Sequence, residues 1–169
     1  MSPPPILLAD FQDPGEVARW WSIDDTVMGG RSSSAVHSGD RCGIFAGVLS
    51  LQNGGGFASV RRQDQRVDLS GCDLIELVVR GDGRRYKLNL RVERAEDGVV
   101  YQADFETQPG AWITAALELA SFVPRWRGRP AAGALDPTRV TSLGLLISDR
   151  QEGPFRLELA SIAARPSAT

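Results

Sequence analysis

From Tyr86 to Glu93 apolar and polar residues alternate without interruption. Tyr86, Leu88, Leu90 and Val92 fall on one side, Lys87, Asn89, Arg91 and Glu93 on the other. A segment of that period buries its apolar half by lying extended, because successive side chains of a strand point to opposite faces. The stretch Val99–Glu106 repeats the pattern with Val99, Tyr101, Ala103 and Phe105 inward, and Phe155, Leu157 and Leu159 alternate with polar or small residues after them. Leu74–Val79 and Leu143–Ile147 are apolar on both faces, which predicts central strands covered on each side. Ser32–His37, Gly43–Leu51, Phe57–Arg62 and Trp112–Leu119 complete a set of at least eight short strands. Gly81-Asp82-Gly83, Glu96-Asp97-Gly98 and Pro109-Gly110 are turn sequences between them. Many short strands in 169 residues predict an all-β fold, a jelly-roll β-sandwich, in one domain over residues 1–169 with its core at about 10–163.

Two segments depart from the strand pattern. Asp13-Pro14-Gly15-Glu16 has an N-cap aspartate, proline at the first helical position and glutamate three residues after the cap, so one short N-terminal helix is expected, running to about Trp20. Pro124–Thr138, rich in Arg, Pro and Gly, reads as the longest irregular loop. The N-terminal stretch has no basic region before its short apolar run and no Arg- and Ser-rich amphipathic character. It therefore predicts neither a secretion signal nor a mitochondrial leader, and a cytoplasmic location. No stretch reads as a transmembrane segment.

Several chemistries are poorly provided for. One histidine (His37) and two cysteines (Cys42 and Cys72) make neither an ordinary zinc site nor a disulfide framework. There is no phosphate-binding lysine loop, and Gly81-Asp82-Gly83 precedes a strand rather than the helix of a dinucleotide site. Asp24 and Asp25 are adjacent, so on an extended chain they point apart and do not flank one substrate atom. No compact set of oxygen ligands appears, and neither a metal nor a cofactor is expected. The net charge of −2 argues against general nucleic-acid binding.

Four segments carry the candidate site residues. Trp20–Ser33 supplies Trp21, Asp24, Asp25 and Met28: a flat apolar platform, two acceptors and a Gly-Gly pair. Gln52–Arg61 supplies Asn53 and Phe57 around three glycines that permit close backbone approach. Arg80–Tyr86, with Asp82, Arg84 and Tyr86, reads as a charged hairpin. Phe122–Pro130 places Arg125, Arg127 and Arg129 around Trp126; if extended, the arginines project on one side and Trp126 anchors the other in the sandwich. Asp25, Gly29, Gly30 and the Gly54–Phe57 turn are expected to pack as one cluster.

Taken in order, Asp25–Ser32, Phe45-Ala46-Gly47, Asn53–Phe57, Gly81–Tyr86, Trp112, Phe122–Arg129 and Gly153-Pro154-Phe155 resemble the motifs of the complex I intermediate-associated protein 30 family, over about residues 10 to 163. The resemblance, to a bare bacterial-type member, implies a galactose-binding-like jelly roll with no established catalytic residue. It further implies a non-enzymatic, chaperone-like assembly factor for a protein partner, such as a membrane-complex subunit or an assembly intermediate; through that partner the protein would lie peripheral to a membrane. A carbohydrate- or small-ligand-binding module is the alternative, and a hydrolase using Asp25 a third. An assembly factor should show an exposed apolar or Arg–aromatic patch. A sugar binder should show a shallow groove with an exposed aromatic beside amides or carboxylates.

Overall fold

The computed structural model of the chain describes residues 3–62, 66–92 and 98–167. Among these residues thirteen strands form two sheets. In the first, β3 (Ser33–Ser38), β4 (Gly43–Leu49), β13 (Gly153–Pro166), β6 (Cys72–Arg80) and β9 (Trp112–Glu118) follow in that spatial order, with β1 (Ile6–Asp10) also on β13. The second runs β11 (Arg129–Pro130), β10 (Val123–Trp126), β8 (Val100–Glu106), β7 (Arg85–Val92), β12 (Val140–Ile147), β5 (Ala58–Arg62) and β2 (Trp20–Ser22). The strand pairs are antiparallel throughout. The result is an all-β, jelly-roll-like sandwich, as the alternating segments predict.

The period of two decides which side of each strand meets the other sheet. On β7, Tyr86, Leu88 and Leu90 are fully buried; on β12, Leu143, Leu145 and Ile147 face the same core. From the first sheet come Phe45, Ile75, Leu77, Val79, Leu157 and Leu159. Each such side chain contributes about 1.5–3 kcal/mol by leaving water. Phe45 meets Phe155 edge-on with ring centroids 5.0 Å apart, and Tyr86 stacks on Phe105 at 6.1 Å. β6 and β12 are central, as expected, but the outer side of β6 is only partly covered.

Two expectations are corrected. The N-terminal helix is absent: only a 3-10 turn, Val17–Arg19, forms there. Asp13 does accept from the Gly15 N–H at 2.9 Å, but the chain cannot continue helically because Trp20 opens strand β2 against Arg62. Glu16, which would close a capping box, is instead buried. It accepts from the Asp10 N–H (3.0 Å), the Trp20 indole N–H (3.1 Å) and the Arg62 guanidinium (2.8 Å). Tertiary partners outweigh the local helix signal. The second correction is Pro124–Thr138, which begins as a hairpin rather than a loop. Trp126 pairs with Arg129 and Arg125 with Pro130 across Arg127-Gly128, whose φ values of 51° and 77° make a two-residue turn. The expected Glu96-Asp97 turn and Glu93 lie outside the described residues.

Candidate functional site

Asp25 is fully buried, at the centre of the cluster expected around it. Its carboxylate accepts from the Ser32 N–H (2.8 Å), the Ser32 hydroxyl (2.7 Å) and the N–H groups of Gly56 (2.8 Å) and Phe57 (3.4 Å). Burial alone would raise its pKa, but these hydrogen bonds, led by Gly56 and Ser32, hold it below the usual carboxylate range. A Cβ at Gly30 or at Gly55 would stand 2.4 Å from an atom of this carboxylate, so both glycines are set by close approach. Gly30 has no left-handed φ; Gly29 does, at 88°. Asp25 thus ties the first turn to the Gly55–Phe57 segment and offers a substrate no exposed surface. Asp24 points elsewhere, accepting from the Ser34 hydroxyl (2.6 Å) and the Ser59 N–H (3.0 Å). Its pKa is raised chiefly by burial, which outweighs those hydrogen bonds. Asn53 is exposed in a left-handed conformation, Phe57 is half-buried, and the Met28 side chain lies outside the described residues.

Asp82, Arg84 and Tyr86 form a second internal network. The buried Tyr86 hydroxyl donates to Asp82 at 3.1 Å, and burial, reinforced by that carboxylate, pushes the phenol pKa well above its ordinary range. Asp82 also accepts from the N–H groups of Arg84 (3.1 Å) and Arg156 (2.8 Å). The Arg84 guanidinium grips Asp149 through two hydrogen bonds, of 2.8 and 2.6 Å, and donates to the carbonyls of Gln151, Gly153 and Pro154. Both side chains of the pair are nearly buried. Arg84 therefore clamps the turn between β12 and β13. The remaining predicted residues sit on the β10–β11 hairpin. Trp126 is 38% exposed rather than anchored in the core, and the Arg127 guanidinium lies over its ring, 4.8 Å from the centroid. Arg125, Arg127 and Arg129 do not form one row, because Arg125 is on β10, Arg127 in the turn and Arg129 on the returning strand.

The outer face of the seven-stranded sheet is different in kind. Its residues are the polar halves of the alternating strands. Across one level the register places Trp21 beside Arg61, Arg61 beside Gly144, Gly144 beside Asn89, Asn89 beside Gln102 and Gln102 beside Val123. Glycine at 144 leaves the floor bare between Arg61 and Asn89; a Cβ there would meet the Val60 carbonyl at 2.7 Å. Asn89 is only 9% exposed, and its Oδ1 is the buried side-chain polar atom without a hydrogen-bond partner among the described residues. The Gln102 side chain is also unpartnered among the described residues, and Trp21 stands 41% exposed at the edge. Two clefts open on this face. One, of about 560 Å³, is lined by Arg84, Arg85, Lys87, Asp104, Glu106 and Asp149. The other, of about 330 Å³, is lined by Lys87, Gln102, Asp104, Val123 and Arg125. The charges of the larger cleft neutralise one another: Lys87 pairs with Asp104 at 2.8 Å and Arg85 with Glu106 at 2.6 Å. Of the residues on this level, Trp21 alone was among the sequence candidates. Asn89 and Arg91 already lie on the polar side of the Tyr86–Glu93 alternation, and that pattern is the signal that could have found them.

The family sequence model described as complex I intermediate-associated protein 30 (CIA30) matches residues 9–159. The chain belongs to this family. Its relatives include the complex I intermediate-associated protein 30, mitochondrial, of Drosophila melanogaster, 26% identical over 90% of this chain, and that of Mus musculus, 26% identical over 88%. This CIA30 chain spans 60% and 52% of the length of those two relatives. In fold it is similar to the family 11 carbohydrate-binding module of the Clostridium thermocellum cellulase Lic26A-Cel5E (16% identity, 99% of this chain and 97% of that one, TM-score 0.74). A family 11 carbohydrate-binding module from Clostridium thermocellum in complex with a β-1,3-1,4-mixed-linked tetrasaccharide aligns with a TM-score of 0.73 at 17% identity, covering 96% of each chain. The agarase AgWH50C matches over 98% of this chain and 25% of its own, at 14% identity and a TM-score of 0.67. Among the described residues of this CIA30 domain no helix is long and apolar enough to cross a membrane, and no three His, Cys, Asp or Glu side chains are placed to hold a metal ion.

Proposed function

We propose that this chain is a non-catalytic binding domain that holds an oligosaccharide across the outer face of its seven-stranded sheet. The observation that carries this reading is the pair of amides, Asn89 and Gln102, side by side on β7 and β8 and without side-chain partners among the described residues, with the bare backbone of Gly144 next to Asn89 and Trp21 at the edge. A buried amide without partners costs free energy unless a ligand supplies them. Each amide offers both a donor and an acceptor, which suits neighbouring sugar hydroxyls, and an exposed indole offers a flat apolar face to a sugar ring. The likeness in fold to modules that bind carbohydrate supports the reading, as does the engagement of Asp24 and Asp25 in internal hydrogen bonds. Titration calorimetry against a panel of neutral and acidic oligosaccharides tests it. At least one should bind, and Asn89→Ala or Gln102→Ala should weaken that binding about tenfold, the worth of one or two hydrogen bonds. Binding to none of the panel, or undiminished binding by both variants, contradicts the proposal.

A second reading, a chaperone-like assembly factor, is favoured by family membership and by the exposed Arg127–Trp126 stack at the tip of the β10–β11 hairpin. Tryptophan and arginine are the residue types that concentrate binding energy in protein interfaces. If the hairpin is such a surface, changing Arg125, Arg127 and Arg129 together to alanine leaves the melting curve nearly unchanged. It weakens co-purification of respiratory-complex subunits in a salt-dependent way. Unchanged co-purification rejects the hairpin as that surface.

A further inference from the structure

Two arginines of the same face, Arg91 and Arg125, have no carboxylate partner among the described residues. Leu90 pairs with Tyr101 and Arg125 with Val100, so Arg91 on β7 and Arg125 on β10 come to lie on either side of Val100, one step along from Asn89 and Gln102. On the other flank Arg91 is opposite Ser142 of β12, while Arg61 of β5 is opposite Gly144, on the level of Asn89. Among the described residues no carboxylate pairs with Arg91 or Arg125, whereas Arg84, Arg85 and Lys87 on the same strand and its leading turn all have acidic partners. Arg91 is moreover half-buried, and burial, helped by the charge of Arg61, pushes its pKa down to about 10. Holding a guanidinium in that condition is unfavourable until an anion reaches it.

Resting on the saccharide reading above, we infer that the ligand of this face is anionic, an oligosaccharide bearing carboxylates such as a uronic-acid oligomer. Its hydroxyls meet Asn89 and Gln102, and its carboxylates are received by Arg91 and Arg125. The planar fork of arginine matches a carboxylate with two parallel hydrogen bonds. The spacing suits a polymer, because the two arginines stand two strand intervals apart, roughly 9–10 Å, with the amides on the next level of the sheet.

Calorimetry of the full chain with trigalacturonate, the neutral galactotriose and a tetraglutamate peptide, each at about 0.05 M and about 0.5 M salt, separates the outcomes. The inference predicts that the uronate binds at least about tenfold more tightly than the neutral sugar at low salt and loses most of that advantage at high salt. Arg125→Gln and Arg91→Gln should each reduce the uronate affinity severalfold and flatten its salt dependence. The first variant, on the short hairpin strand β10, stays informative even if the Arg91 variant fails to fold. Equal affinity for neutral and acidic sugars overturns the anionic assignment and leaves the saccharide reading intact. Binding of neither sugar overturns both. Binding of tetraglutamate without the uronate also overturns it, and assigns the arginines to a protein contact.

Discussion

Replacing Asp25 with alanine lowers the stability of the domain by about 4 kcal/mol. The carboxylate is the acceptor for the buried Ser32 N–H and the part-buried Gly56 N–H, both at 2.8 Å, and for the Ser32 hydroxyl; its removal orphans the two N–H groups in a site closed by Gly30 and Gly55 and leaves the hydroxyl only the Ser50 carbonyl, at 3.2 Å. An orphaned buried donor costs about 1–3 kcal/mol. The loss is a large part of the about 5–15 kcal/mol that stabilises a typical domain. Urea unfolding of the variant checks it. A midpoint within experimental error of the parent would show that the cluster contributes little. The same carboxylate makes the fold acid-sensitive. Its pKa is lower folded than unfolded, so its contribution is complete above about pH 4, the ordinary aspartate value, and is lost as pH falls through the depressed folded value. Asp149, lowered by Arg84 against the opposing effect of burial, loses its contribution over the same acidic window.

Removing the Arg84 guanidinium has an effect of similar size. Arg84→Ala leaves Asp149 nearly buried without its counter-ion and strips three carbonyls of a donor, at a cost of about 3–5 kcal/mol. Arg84→Lys recovers only part of the loss, because an ammonium cannot make the two parallel bonds to Asp149. Thermal melts of the two variants should therefore rank parent, lysine, alanine in falling order. Alanine melting with the parent would mean that the β12–β13 turn is held by something else.

The residues involved show where sequence reasoning succeeds and where it stops. Alternation at Tyr86–Glu93 and Val99–Glu106 is a direct consequence of burying one face, so those strands and the sandwich were legible. The absence of a helix after Asp13 was not, because the helix signals there are local, while the partners that oppose it, Arg62 and the Asp10 N–H, are distant in the chain or on a neighbouring strand. The hairpin at Arg127-Gly128 was hidden by an arginine at a left-handed position where asparagine or aspartate is the usual sign of such a turn. Conspicuous motif residues misled in a consistent way. Asp25, Asp82, Arg84 and Tyr86 stand out in the sequence because the fold needs them, and the structure engages them internally. Asn89, Gln102 and Arg91 are inconspicuous polar residues on strands. Only the three-dimensional arrangement reveals that Asn89 and Gln102 lack hydrogen-bond partners, and Arg91 a carboxylate, among the described residues.

The central claim is that the outer face of the seven-stranded sheet, rather than the glycine-rich turns or the arginine hairpin, receives the ligand. Side-chain and backbone amide NMR of the labelled protein during a titration with trigalacturonate tests it most directly. The account predicts that the Asn89 and Gln102 side-chain amides and the Ser142 and Gly144 backbone amides shift together and saturate together. Shifts confined to residues 25–32 and 54–57, or to the hairpin at 126–129, would contradict it.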